Sequence, residues 1–184
     1  MLKGAPGAPG SVDPAWAPAE AALAAWRWRA RQSQLAHYAA SRWYRALGYA
    51  VGAPAVVLST VVGAVALATL GGDVGGSTRA ALGGASITAA VLAAVQTHFQ
   101  FGRLAERHMA VGVKYGAARR RIEGLLACPP PDRPAAPEAL DVVRIELDVA
   151  AGDGDTVPSF LWERTAREMA AREPEVAGAR ARPG

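Results

Sequence analysis

The chain has 184 residues, 51% of them hydrophobic and 20% charged, with 20 Lys and Arg against 16 Asp and Glu for a net charge of +4. One cysteine, Cys128, excludes an intrachain disulfide and points to a reduced compartment. The basic excess clusters beside two apolar runs instead of spreading over a surface, so direct nucleic-acid binding is not expected.

Residues 1–18 form a Gly, Ala and Pro tract without the apolar core of a signal peptide, and read as a disordered leader. From Pro18 to Arg45 the sequence predicts a helix, with proline tolerated in its first turn. Trp43, Tyr44 and Tyr49 beside Arg42 and Arg45 have the composition of an aromatic and basic belt at a membrane surface; Trp26 and Tyr38 fit such a belt or ordinary packing equally well.

No charge occurs between Arg45 and Asp73, nor between Arg79 and Arg103. These uncharged runs are about 27 and about 23 residues long, where a bilayer needs about 20, which predicts spans at about 48–70 and about 80–101. Between Val51 and Leu70 only Ser59, Thr60 and Thr69 are polar, so the first run lacks the wet face of a soluble helix. Gln96, His98 and Gln100 gather at the end of the second run, where headgroups would meet them. Arg27, Arg29, Arg31, Arg42 and Arg45 precede the first run; Arg103, Arg107, Lys114 and Arg119 to Arg121 follow the second. That asymmetry predicts an inner (plasma) membrane protein with both termini cytoplasmic and the loop Gly71 to Thr78 outside. Pro54 marks a possible hinge in the first span. Gly48 and Gly52 in the first span, with Ala81, Ala85, Ala89 and Ala93 in the second, repeat small residues every fourth position and form a candidate packing or oligomer face.

The second span is expected to continue as one helix through Thr97 to Leu126, so that residues 19–127 make up a two-span helical core with cytoplasmic extensions. A Pro-rich linker follows at 128–137, then a cytoplasmic segment at 138–174 and a tail at 175–184. Within that segment Leu140, Val143 and Leu147 fit a helix while Val143, Ile145, Leu147 and Val149 fit a strand. Gly152 to Asp155 reads as a turn, and Pro158 to Glu173 as an amphipathic helix closed by Pro174. The fold class expected is an all-α membrane protein, a two-span helical hairpin with cytoplasmic helices before and after it.

Nothing in the chain reads as catalytic. His37, His98 and His108 lack ligand partners at metal spacing, and Glu106 and His108, two apart on a helix, face different ways. Gly71, Gly72, Gly75 and Gly76 are not followed by the Lys-Ser or Lys-Thr of a phosphate loop, and Ser59 and Ser86 have no His and Asp nearby. No enzyme, cofactor or metal is expected.

The order of elements, with Ala105-Glu106-Arg107-His108, Tyr115, Arg119-Arg120-Arg121-Ile122-Glu123, Val157-Pro158 and Trp162, resembles the SLATT superfamily, two-span effector domains that accompany nucleotidyltransferases and nucleotide sensors in bacterial conflict systems. The resemblance covers roughly Glu20 to Met169 and matches its core at Glu106, His108, Tyr115 and Arg119. It implies a homo-oligomeric effector that permeabilises or depolarises the membrane when a separate nucleotide-signal synthase or sensor triggers it. The alternative is a non-enzymatic anchor or scaffold that recruits a cytoplasmic partner through Glu138 to Glu173.

Overall fold

A computed structural model describes residues 16–69, 72, 75–129 and 135–180, with side chains of 137–172 in the last stretch. The leader up to residue 15, much of the predicted loop, linker residues 130–134 and the end of the tail lie outside them. Five helices appear: α1 (Ala17–Ala68), α2 (Gly76–Phe99), α3 (Phe101–Ala127), α4 (Ala135–Gly152) and α5 (Ser159–Arg180), with no strand among the described residues. The chain divides into two compact units, one comprising residues up to Tyr38 together with Ala110 onward, the other Ala39–Met109.

In the first unit the inward positions recur at helical spacing. Leu23, Ala30 and His37 of α1 are buried seven residues apart, and Val111, Ala118 and Ile122 of α3 share its inner face. Leu23, Ile122 and Val143 form the core, closed by Trp16, Trp26, Leu125, Leu126, Leu140 and Leu147. Segment 138–150 resolves as a helix, because α4 turns Val143 and Ala150 inward with Leu140 and Leu147 while Ile145 and Val149 stay exposed. A strand would have placed Val143, Ile145, Leu147 and Val149 on one face; burial follows the 3.6-residue period instead. An Arg121–Glu146 ion pair of 2.9 Å ties α3 to α4, and Lys114 pairs with Asp153 just beyond α4. Leu161, Thr165 and Met169 give α5 a buried stripe at every fourth position. This helix continues through Pro174 to Arg180 instead of stopping at the proline. Proline removes one intrahelical bond, and the surrounding Ala, Glu and Arg residues otherwise favour the helix.

The second unit contains the later part of α1, all of α2 and the start of α3. Here the expected continuous helix from the second apolar run to Leu126 is interrupted. Gln100 adopts a left-handed conformation, φ 45° and ψ 49°, and its N–H donates to the Gln96 carbonyl at 3.0 Å, capping α2. The Gln100 carbonyl in turn accepts from the N–H groups of Arg103 (2.8 Å) and Leu104 (3.2 Å), which starts α3. One residue therefore satisfies orphan backbone groups at the end of one helix and the beginning of the next. Hydropathy periodicity does not register such a break, because polar and apolar positions keep their spacing on both sides of it.

Among the described residues, α1 and the stretch Gly76–Ala127 are each long and apolar enough to cross a membrane, by length and composition.

Candidate functional site

The apolar stretches of α1 and α2 carry the feature that distinguishes this chain. Only 6% of the most apolar 18-residue window in each is buried. Val56, Leu67 and Ile87 are 67%, 69% and 68% exposed, against the burial expected of core helices in a soluble bundle. Threonines in these stretches turn their hydroxyls back onto their own helix. Thr60 donates to the Val56 carbonyl (2.8 Å), Thr69 to Val65 (2.9 Å), Thr88 to Gly84 (2.9 Å) and Thr97 to Ala93 (2.9 Å). Each donor is satisfied without water, as a hydrocarbon environment requires.

Small residues set how closely the helices of this unit approach. A Cβ on Gly48 would meet Phe101 Cβ at 3.4 Å, an ordinary contact, whereas one on Gly52 would fall on the Gln96 amide, so Gly52 is the position of close approach. Ala89 is buried, as is Ala55 of α1; Ala85 is half-buried, while Ala81 and Ala93 are exposed. The alanine row thus enters intrachain packing at its centre and leaves both ends open. Pro54 is exposed within an unbroken α1. A shallow groove of about 660 Å³ runs between Gly48, Gly52 and Val56 on one side and Ala93, Gln96 and Thr97 on the other.

The residues that carry the family resemblance do not converge. Glu106 is exposed on α3. His108 is buried and stacks flat on Tyr44, ring centroids 5.3 Å apart at 6°, which places it in packing and not on a solvated face. Tyr115 stacks on the buried His37 at 5.8 Å and hydrogen-bonds Ser33. Burial holds the Tyr115 hydroxyl above its ordinary 10.0, the Ser33 bond opposing in part. The neutral hydroxyl is the favoured form in the fold, so its contribution to stability is complete below pH about 10 and falls as pH rises through that value. Arg119 pairs with Glu123 at 3.5 Å, one turn along. Among the described residues no group of three or more His, Cys, Asp or Glu could hold a metal ion.

A second glycine pair, outside the residues singled out in the sequence, is also closely packed. A Cβ on Gly112 would lie 2.6 Å from the Tyr38 ring, and one on Gly116 would lie 2.7 Å from the Gln34 amide nitrogen. The signal was present as Gly-Val-Lys-Tyr-Gly on α3, a four-residue glycine repeat outside the apolar runs.

Gln100 permits a local test. A left-handed non-glycine residue costs about 1–2 kcal/mol, so Gln100→Gly is expected to raise stability by up to about 1 kcal/mol and Gln100→Val to lower it by about 1–2 kcal/mol. Thermal unfolding in detergent reads both; a valine variant as stable as the glycine variant would show that the break between α2 and α3 is not formed.

These observations define, among the described residues, an all-helical fold with two stretches long and apolar enough to span a bilayer. Compared with protein-family models, curated proteins and solved structures, the chain matches none.

Proposed function

We propose that this chain is a two-span membrane effector that assembles into an oligomer and permeabilises or depolarises the inner membrane when a separate nucleotide-signal synthase or sensor triggers it. The observation that carries the membrane part is the exposure of both apolar stretches, 6% buried, with threonine donors satisfied inside their own helices. Exposing that much apolar surface to water costs about 25 cal/mol per Å², which lipid contact removes. The two spans form a hairpin with both termini in the cytoplasm, the Arg-rich flanks holding them there. The effector role rests on the SLATT resemblance through Glu106, His108, Tyr115 and Arg119, and on the fact that two spans cannot enclose a water-filled path, so that permeabilisation requires several copies.

Induced expression with a membrane-potential dye tests this reading. Depolarisation and growth arrest are expected once the protein accumulates, with reporters at Ser11 and Ala179 inside and one after Gly75 outside. An abundant, correctly inserted protein that leaves membrane potential and growth unaltered beside its native gene neighbours would overturn the effector role. The anchor reading would then stand, and it has an observation of its own: an exposed apolar row on α4 formed by Val142, Ile145 and Val149.

A further inference from the structure

We infer that the chain associates head to tail through helical segments outside the spans, the basic face of the N-terminal part of α1 in one copy seating on the acidic, apolar face of α4 in the next. This rests on the oligomeric reading above and assigns its interface.

Among the described residues, the α4 half is an exposed apolar seam. Val142, Ile145 and Val149 are 42%, 55% and 53% exposed, while the opposite face of the helix supplies Val143 and Ala150 to the core. Steps of three and four residues put the three on one narrow stripe, the spacing of a coiled-coil seam. Carboxylates border it. Asp141 and Asp148 share a single guanidinium, Arg144, at 3.2 and 3.7 Å, and the exposed Glu138 extends the row, so three carboxylates face one cation.

The α1 half has the complementary character. Trp28 and Leu35 are 38% and 37% exposed, seven residues apart, with Arg31 between them and Arg27 alongside, both exposed. No carboxylate occurs in α1 after Glu20, so the helix supplies no neutralising neighbour of its own. Apolar rows of the same seven-residue repeat are thus bordered by opposite charge on the two helices.

Charge selects the occupant. Two copies meeting α4 to α4 would oppose like charges, as would α1 to α1, whereas α1 to α4 joins opposite ones. An interface between different faces leaves one half unfilled at each end, so association continues until a ring closes. A ring of spans is what permeabilisation by a two-span chain requires.

The test uses the full-length chain in membranes and in detergent. Arg27→Glu/Arg31→Glu makes both faces acidic; Asp141→Lys/Asp148→Lys makes both basic. Each alone is expected to self-associate about tenfold or more weakly than wild type, and an equal mixture to recover association, because each contact between the two different variants pairs opposite charges. Recovery also shows that both variants fold. Independently, Leu35→Cys with Ile145→Cys in a Cys128→Ser background is expected to crosslink into a ladder beyond the dimer, while either cysteine alone gives none. The inference is overturned if the α1 variant alone assembles as wild type, if Ile145→Cys alone crosslinks efficiently, which marks a two-fold contact, or if the crosslinked species contain another protein instead of a ladder. Depolarisation without a ladder sinks this interface and leaves the effector reading standing; a ladder without depolarisation does the reverse.

Discussion

Placing Asp at Val61 is expected to remove the protein from the membrane fraction and to abolish depolarisation. Val61 is 53% exposed near the middle of the first apolar stretch, and Ala64, one turn along, is exposed beside it. A charge facing lipid at a span centre costs about 3 kcal/mol on the insertion scale, enough to shift a marginal, alanine-rich span out of the bilayer. Ala64→Lys is expected to act likewise. Gly124 supplies the control, since it lies on α3 outside the apolar stretches with nothing within 4 Å of an added Cβ; Gly124→Asp is expected to leave fractionation and depolarisation as in wild type. Carbonate extraction and a potential dye read the outcomes. Full retention of Val61→Asp with wild-type depolarisation would mean that this face of α1 does not meet lipid.

The second large effect belongs to the first unit. Gly112→Ala and Gly116→Ala are each expected to destabilise it by about 1–3 kcal/mol, because the new Cβ would lie 2.6 Å from the Tyr38 ring or 2.7 Å from the Gln34 amide nitrogen. At Gly112 the Gln34 carbonyl lies 3.4 Å from that Cβ, an ordinary contact, so the cost there is that of displacing the packed Tyr38 ring. The longer Gln34 side chain can swing aside at Gly116, and the smaller of the two losses is expected there. Elsewhere in the same helix the sign reverses: Gly124→Ala is expected to stabilise by about 0.5–1 kcal/mol through helix propensity alone. Thermal melts of the detergent-solubilised chain followed by circular dichroism separate the cases. Equal stabilisation at all three positions would show that α1 and α3 do not approach closely at Gly112 and Gly116.

Sequence by itself determined the helical class and the place of both apolar stretches, because an uncharged run of that length has few alternatives and alanine, leucine and arginine favour helix throughout. It also put Gly48 and Gly52 on one face, since a four-residue repeat does so on any helix. Tertiary structure alone decided the rest. The segment 138–150 carries both a helical and an alternating pattern, and only the presence of Leu23 and Ile122 beside Val143 selects the helix. His108 sits among charged neighbours in sequence, yet α1 brings Tyr44 over it and buries it. The break at Gln100 leaves no trace in composition: a left-handed residue there is held by backbone bonds to Gln96, Arg103 and Leu104, and such bonds depend on the path of the chain more than on the side chain it carries. Periodicity states which residues share a face, and only packing states what that face meets.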